Sequence, residues 1–533
     1  MARAERQPCI QEKGGTMKEK ISKNRAQILT IFIFGLFPLV CALVYTLKDG
    51  HTPFDVYLPA SYWNDELMYY KQVENVVKEG LSKGWFGFNE AHGAVYPFAA
   101  WSPVILVPWI VWGKLFGWNL TAPIVSSIVF SMIALAVFAW MVKPSVKESC
   151  IFLGLLAVFV PYTRYLLCGM PEAIFMALGI VFMGLSIRYC RREKTSDLAV
   201  LFGICVFLML ARPYLGLFFL LPLWFGIKKY RWKGALAGVA AIGVTTLLYL
   251  WLARNCIAPY LEPIMQTGWL SLFWEEGPGA GVSYAVNTLL DRFKTLFGEY
   301  FKKAVKYGLF PGSLFAVTGF TALLLGIRYV WAFARKKEKE LRSLWLFQFV
   351  ITAGMVLALF LFYKMGEGSK HLMIFIAMAI CLIAFAKEKY PVMKLLTFFV
   401  CVYFFMIKAI APYDWQVAYD DGVLGMEAAE LESGLDQTMH LEDSSDRFDN
   451  TVIWLASDVV DGESIAATWG LLYMVPEGFG INFCTQEYVM EHFDILSSRY
   501  LAVLPGGEVE ARLQESGAKR LAGTEHMAVY CRE

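Results

Sequence analysis

Charged side chains are unfavourable inside a membrane, so acidic and basic residues beside apolar runs indicate functional sites. Two adjacent carboxylates of this chain, Asp65 and Glu66, lie in the aromatic stretch SYWNDELMYY at 61–70, shortly after the first long apolar run. A carboxylate in such a place can accept a proton as a general base. The structural alternative is that both acids begin a helix, whose dipole they would complement. The KQVENVVKEGL that follows has valines near helical spacing, which predicts an amphipathic helix on the membrane surface.

Further ionisable residues stand at the ends of later apolar runs. They are Arg164, Glu172, Arg212, Lys370 and His371. A basic residue at such a position can instead be an interface anchor that reaches toward the lipid headgroups, and this alternative stays open for Arg164. His371 could equally be a polar cap. Acids and bases gathered on one membrane face favour a functional site over these alternatives.

The composition indicates a membrane protein. The 533-residue chain is 57% hydrophobic, has a mean hydropathy of +0.49 and repeats apolar runs long enough for transmembrane helices. Its net charge of +2 gives no reason to expect nucleic acid or another polyanion as a partner. The eleven cysteines include no CxxC pair, so neither a zinc site nor a disulfide framework is indicated. Cys484 and Cys531 could pair if the C-terminal segment is extracytoplasmic.

Twelve apolar runs are candidates for membrane spans. They cover residues 26–47, 97–116, 121–142, 150–168, 172–189, 197–211, 213–227, 234–253, 309–327, 343–363, 372–386 and 391–411. If all twelve crossed, three basic clusters would face outside, against the positive-inside rule. These clusters are RYCRREK (188–194), KKYRWK (228–233) and RKKEKELR (335–342). One run before the first cluster therefore does not cross.

The run at 97–116 is the one that we expect to lie in the interface or to re-enter the same face. Three prolines break it, and its tryptophans suit a membrane surface. Eleven spans then remain, the N-terminus is cytoplasmic, and every basic cluster falls inside. The first external loop is 48–120 and the large external loop is 254–308. Asp65 and Glu66, together with Glu172, Arg212, Lys370 and His371, share this outer face.

The chain changes character after Pro412. Residues 412–533 read as an ordinary soluble segment, in which strands such as TVIWLA and YLAVLP alternate with helical patterns and predict a small α/β domain. An odd number of spans places this segment outside, and we expect the membrane region 1–411 to fold without it. The predicted fold class is a polytopic α-helical membrane protein of about 11 spans with a small C-terminal soluble α/β domain.

The stretch DELMY at 65–69 resembles the DExxY pattern that opens the first external loop of the GT-C superfamily of membrane glycosyltransferases. Aminoarabinose transferases and protein O-mannosyltransferases belong to that superfamily. The order of later motifs is also similar: the Pro-rich YPFAAWSP, the acid that ends RYLLCGMPE, the arginine of LARPYLG and the basic GEGSKHLM. The resemblance covers roughly residues 28–390 and does not include the C-terminal segment.

The resemblance implies a sugar transfer from a polyprenyl-phosphate donor. Such a reaction needs a carboxylate that takes a proton from the acceptor and cations that stabilise the leaving phosphate. Asp65 would then be the general base, whereas Glu66 would position the loop or bind the acceptor. Glu172 would orient the acceptor or help to bind a metal.

The remaining site residues are assigned by the same resemblance. The favoured contacts for the donor phosphate are Lys370 and His371. Arg212 and Arg164 are second choices for the same contact. Tyr69 and His92 would position the acceptor or the loop. Three positions depart from the family pattern: His92 stands several residues early, Glu172 replaces an aspartate, and Lys370 replaces an arginine. Lysine keeps the charge for a phosphate but loses the bidentate geometry.

The sequence therefore predicts an integral membrane glycosyltransferase of the hexosyltransferase type. It would move a sugar from a polyprenyl-phosphate carrier to a lipid, glycan or protein acceptor on the extracytoplasmic face of the cell membrane, with inversion. A divalent ion held by His92 with Glu66 or Glu172 stays open as a cofactor, without support from the residue spacing. The leading alternative is a transporter or flippase of a lipid-linked saccharide, which should place ionisable residues in mid-membrane. A polymerase or ligase of surface polysaccharide would use the same class of donor.

Overall fold

The computed structural model describes residues 17–58, 65–78, 80, 86–90, 102–256, 268–307, 310–338, 341–363, 368–387, 391–407, 418–455 and 471–532. Most of the apolar runs form helices, as their composition predicts. Up to the large external loop, the helices are α1 (Met17–Leu47), α2 (Asp65–Lys78), α3 (Val107–Phe116), α4 (Ala122–Val142), α5 (Val146–Val158), α6 (Val160–Leu166), α7 (Glu172–Arg192), α8 (Thr195–Ala211), α9 (Leu220–Tyr230) and α10 (Trp232–Cys256).

The second half of the chain continues the bundle and then adds a sheet. The helices are α11 (Gly268–Glu275), α12 (Pro278–Thr295), α13 (Phe301–Tyr307), α14 (Phe310–Ala334), α15 (Arg342–Phe362), α16 (Met373–Ala384), α17 (Val392–Val402), α18 (Val423–Thr438), α19 (Gln486–Glu491) and α20 (Glu508–Glu515). The strands are β1 (Val56–Tyr57), β2 (Phe86–Phe88), β3 (Ala418–Tyr419), β4 (Thr451–Leu455), β5 (Gly480–Cys484), β6 (Tyr500–Val503), β7 (Lys519–Gly523) and β8 (Ala528–Cys531).

Six helices among the described residues are long and apolar enough to cross a membrane. They are Asn24–Leu47, Ala122–Val142, Glu172–Arg192, Trp232–Cys256, Pro311–Ala334 and Arg342–Phe362. The pair α5 and α6 makes a seventh if it is a single span bent by 71°. Four shorter apolar helices are Pro103–Phe116, Thr195–Ala211, Ser369–Ala384 and Val392–Ile407. A mainly helical polytopic protein with a small C-terminal sheet is thus confirmed, whereas the count of eleven spans stays a prediction.

The bend between α5 and α6 has a local cause in the sequence. Pro161 cannot donate a backbone hydrogen bond, and its ring would clash with the carbonyl one turn earlier in a continuous helix. α5 therefore ends at Val158, and a new helix starts at Val160 with Pro161 in its first turn. The bend directs the chain to the short turn that precedes α7.

Close helix contacts at small residues hold the centre of the bundle together. A Cβ atom added at Gly184 of α7 would lie 2.7 Å from Phe138 of α4, and one added at Gly179 would lie 2.7 Å from Ile374 of α16. α7 therefore packs closely against both helices. It occupies the middle of the bundle, and most of its residues are buried.

The run at 97–116 is described from Ser102 onward. It contains a 3₁₀ turn at Pro103–Leu106 followed by the ten-residue α3. A helix of that length covers about 15 Å, half of the hydrocarbon thickness of a bilayer. α3 packs against α2, where a Cβ at Gly113 would lie 2.7 Å from Val77. This geometry favours a helix that does not cross, which stays a prediction.

The sheet of the C-terminal segment includes a strand from residues 48–120. Its order is β2-β5-β4-β6-β8-β7, and β2 runs parallel to β5. A second contact of the same kind is the antiparallel pair of β1 and β3. The domain boundary at residue 412 stays a prediction. Strands of the C-terminal segment nevertheless pair with strands of residues 48–120. The shared sheet changes our expectation that the membrane region folds alone.

Cys484 and Cys531 are free thiols. Cys484 lies on β5 and Cys531 on β8, and two strands separate them in the sheet. Three strand spacings amount to about 14 Å, far beyond the reach of a disulfide. Burial also raises the pKa of Cys484 to about 12, so this thiol is unreactive at neutral pH. The pairing that the sequence left open therefore does not occur in this fold.

Candidate functional site

Asp65 and Lys370 form an ion pair at one end of the helix bundle. Asp65 is the first residue of α2, and Lys370 lies in the 3₁₀ turn Ser369–Leu372 that leads into α16. Lys370 Nζ donates to Asp65 Oδ2 at 2.5 Å. The Lys370 side chain is 9% exposed and that of Asp65 is 34% exposed. The carboxylate is therefore the accessible member of the pair.

Glu172, Arg212 and His371 form a second, buried cluster. Arg212 Nη2 donates to Glu172 Oε1 at 2.8 Å, and Arg212 Nη1 lies 2.9 Å from His371 Nδ1. A guanidinium can only donate hydrogen bonds, so Nδ1 has to accept and the ring proton lies on Nε2. That nitrogen faces the Tyr363 hydroxyl at 3.3 Å. His371 is thus a neutral imidazole in this arrangement, not a second cation.

The Arg212 guanidinium is enclosed by its neighbours. It lies 4.5 Å from the centre of the Phe175 ring, and Nη1 also donates to the Tyr214 hydroxyl at 3.3 Å. Its side chain and that of Glu172 are each 2% exposed. Glu172 Oε2 is buried without a hydrogen-bond partner in the described part of the chain. The pair therefore leaves one buried carboxylate oxygen without a hydrogen bond.

The two clusters adjoin because Lys370 and His371 are consecutive residues. One contacts the first turn of α2, and the other contacts the start of α7 and the end of α8. We call this end of the bundle the site end. α7 begins there at Glu172 and runs for about 30 Å to Arg192, in the first basic cluster. α15 spans the same distance in the opposite sense, from Arg342 to Phe362.

The other residues of the first loop hold α2 in place. Glu66 is fully buried, and its Oε2 accepts the Gly169 N–H at 2.7 Å. Tyr69 is also buried and packs on Trp109 of the following segment, with ring centres 6.2 Å apart. Glu66 therefore faces away from Asp65 and joins α2 to the turn before Glu172.

α2 is a helix as predicted, but its polar face is not in water. Lys71 Nζ donates to the Val475 carbonyl at 2.5 Å, and Asn75 Oδ1 accepts the Gly478 N–H at 2.9 Å. Both side chains are almost fully buried. The C-terminal segment covers the face that we expected to be solvated at the membrane surface, so that expectation is wrong.

Arg164 is not part of the observed clusters. Arg164 is buried and donates to the Leu167 carbonyl at 3.3 Å, near the turn that Glu66 also contacts. It is an internal residue, not a surface anchor. His92 lies outside the described residues.

Sequence reasoning did not identify four residues that shape the site. They are Gly169, Phe175, Tyr214 and Tyr363. Tyr214 stands two residues after Arg212, and Gly169 lies in the turn that ends at Glu172, so proximity in sequence was a usable signal for both. A Cβ atom at Gly169 would lie 3.3 Å from Glu66 Oε2, which explains why a glycine fits there.

The described residues contain one group of metal-ligating side chains that lie close together. It consists of Glu427, Glu525 and His526 in the C-terminal segment. Asp65, Glu66 and Glu172 do not form such a group. A divalent ion at the site end therefore stays a prediction that depends on His92.

Comparison with known proteins yields only distant similarities. No protein-family model and no curated protein matches the sequence. Among solved structures, the chain is similar to the oligosaccharyltransferase of Archaeoglobus fulgidus tethered to an acceptor peptide with the NVT sequon, with a TM-score of 0.46 and 10% identity over 91% of this chain and 70% of that one. It is similar to ArnT from Cupriavidus metallidurans bound to undecaprenyl phosphate, with a TM-score of 0.41 and 8% identity over 97% and 98% of the two chains. The apo state of ArnT gives a TM-score of 0.41 and 9% identity over 96% and 97%. TM-scores this low establish neither the family nor a function.

Proposed function

We propose that this chain is an integral membrane glycosyltransferase of the GT-C type. It transfers a sugar from a polyprenyl-phosphate carrier to an acceptor on the extracytoplasmic face. The observation that carries this proposal is the contact between Asp65 and Lys370, an accessible carboxylate and a lysine side by side at the end of the bundle opposite the basic clusters. The positive-inside rule supports the outer location.

The proposed reaction is a direct displacement at the anomeric carbon. The acceptor nucleophile, a hydroxyl for example, forms a bond to that carbon while Asp65 takes its proton. The bond between the anomeric carbon and the phosphate oxygen breaks, and its electron pair leaves with the polyprenyl phosphate. Attack from the side opposite the leaving group inverts the configuration. Lys370 stabilises the negative charge that develops on the leaving phosphate.

Lys370 would serve both partners in turn. In the unliganded protein its ammonium neutralises Asp65. An arriving donor phosphate competes for the same ammonium and weakens its hold on the carboxylate. The Asp65 carboxylate is then released from the lysine when a donor is bound and can contact the acceptor.

Arg212, Glu172 and His371 play a positioning role in this proposal. The enclosed guanidinium is too well surrounded to be the first phosphate contact, but it fixes Glu172 and the neutral His371. Glu172 is as enclosed as Arg212, so it would orient the acceptor only through the side chains that cover it. Glu66, Tyr69 and Arg164 hold the surrounding backbone, and His92 remains a candidate for acceptor positioning.

The experiment uses the full chain in proteoliposomes with radiolabelled polyprenyl-phosphate sugars and membrane extracts as the source of acceptor. Label should move to a lipid, glycan or protein fraction with the unchanged chain and not with Asp65→Asn. Asp291→Asn is the matched control, because Asp291 is an exposed aspartate of the large external loop. Label that crosses the bilayer while it remains on the carrier would replace the transferase with a flippase.

A further inference from the structure

A groove lies between α7, α9, α14 and α15, and we call it the inner groove. Its volume is about 760 Å³. Its walls are mainly aromatic and aliphatic, with Leu221, Trp224, Phe225, Tyr329, Phe333 and Phe347 among the lining residues. It is the size of the cavities that bind small apolar ligands.

The inner groove lies at the end of the bundle that carries the basic clusters. Cys190 and Glu193 line it from the end of α7, and Arg342 lines it from the start of α15. Both positions are about 30 Å from the site end along their helices. The groove is therefore remote from Asp65 and Lys370 and has no part in the proposed transfer.

Three cations stand at the rim of the inner groove. Lys228 and Lys229 occupy the last turn of α9, and Arg342 is the first residue of α15. Glu193 is the acid among the lining residues, and its contact with Lys228 is long, at 4.0 Å between exposed side chains. Positive charge therefore exceeds negative charge at this rim.

The apolar wall and the cationic rim of the inner groove lie at different depths in the membrane. Its apolar wall faces the hydrocarbon, where Trp224 is 55% exposed, and the cations follow at the helix ends where lipid headgroups lie. An apolar space at membrane depth takes up a hydrocarbon chain more readily than water. A cluster of lysine and arginine at a helix end attracts anionic headgroups of the cytoplasmic leaflet.

We propose that the inner groove is a binding site for an anionic phospholipid of the cytoplasmic leaflet. One acyl chain fills the aromatic wall, and the headgroup phosphate contacts Lys228, Lys229 and Arg342. The lipid would thereby bridge α9 to α15. A zwitterionic lipid with the same chains should bind more weakly, because its headgroup carries no net charge.

Native mass spectrometry of the full chain in detergent tests this site. Phosphatidylglycerol and phosphatidylcholine with identical chains are the two probes. We expect phosphatidylglycerol to bind about tenfold more tightly, and the variant Lys228→Gln/Lys229→Gln/Arg342→Gln to lose that preference. The matched control is Arg231→Gln/Lys233→Gln/Arg335→Gln, which removes the same charge from exposed positions of the same clusters outside the groove.

A second variant separates the acyl chain from the headgroup. Leu346 lines the inner groove and is 38% exposed, so Leu346→Trp fills the groove without a change in charge. It should reduce phosphatidylglycerol binding while all three cations remain. If the unchanged chain binds both lipids equally, or if the control and the triple variant lose the preference for phosphatidylglycerol equally, the bound lipid is ordinary boundary lipid. Either result would overturn the proposal. Displacement of phosphatidylglycerol by inorganic phosphate alone would also overturn it, since the site would then bind an anion and not a lipid.

Discussion

Asp65 is the residue whose removal tests the chemistry most directly. Asp65→Asn keeps the size of the side chain and removes its basicity, so we expect the transfer rate to fall by about 10²-fold to 10⁴-fold. The same change frees Lys370 from its carboxylate, so the affinity for a synthetic polyprenyl phosphate should be unchanged or higher. Initial rates with labelled donor and equilibrium binding measure the two effects. A normal rate in Asp65→Asn would exclude this residue as the base.

Removal of Lys370 should lower the affinity for the donor, whereas removal of Asp65 should lower the transfer rate. Lys370→Ala removes a charge-assisted contact worth about 1.5 to 3 kcal/mol, so we expect the affinity for the polyprenyl phosphate to fall by about tenfold to a hundredfold. Lys370→Arg keeps the charge and should recover much of that affinity. The binding isotherm of each variant provides the measurement, and an unchanged affinity in Lys370→Ala would show that another cation holds the phosphate.

At the residue scale, the sequence located the ionisable groups but not their partners. The acids of DELMY and the basic residues of GEGSKHLM could be placed on one membrane face by counting spans. The contact between Asp65 and Lys370 joins residues 305 positions apart, and no local pattern specifies it. The neutral state of His371 follows from the position of Arg212, which is a property of the folded bundle.

At the scale of helices, α2 depends on its close approach to α3. Gly113→Ala would place a methyl group 2.7 Å from Val77, so the helices must separate. We expect a lower melting temperature and, because α2 carries Asp65, a lower transfer rate. Gly154→Ala in α5 is the matched control, since nothing lies within 4 Å of its added Cβ. It should be neutral or stabilise by about 0.5 to 1 kcal/mol.

Thermal unfolding of both glycine variants, followed by tryptophan fluorescence in the same detergent, measures the difference. Equal melting temperatures would show that α2 and α3 can move apart without loss of stability.

α2 also shows why helical periodicity predicted the structure only in part. The valine spacing predicted the helix correctly, whereas its buried Lys71 and Asn75 have backbone partners some four hundred residues away.

At the scale of the whole molecule, the C-terminal segment is part of the scaffold. Truncation after Tyr413 removes the strands that pair with β1 and β2 and uncovers the buried polar residues of α2. We therefore expect the truncated chain to melt at a lower temperature than the full chain and to aggregate in detergent. Size-exclusion chromatography and thermal unfolding provide the readouts. A monodisperse truncated protein with an unchanged melting temperature would contradict this role.

The membrane topology stays a prediction from the sequence. Charge counting predicted the three basic clusters on one face, and α7 and α15 connect the site end with the first and the third of them. The count of spans is harder, because several apolar helices are shorter than a bilayer is thick. β2 could not be foreseen, since three residues carry no alternation long enough to indicate a strand.

The pairing of β1 with β3 has a consequence for the synthesis of the protein. β1 leaves the ribosome soon after the first helix, whereas β3 follows the last apolar helix of the described residues, and the partner of β2 comes later still. At about 5 to 20 residues per second, the helix that carries Asp65 waits for its partners on the order of tens of seconds. A nascent chain thus contains Asp65 long before the segments that hold its helix in place. Translation that stops early would leave α2 exposed, a natural target for quality-control proteases.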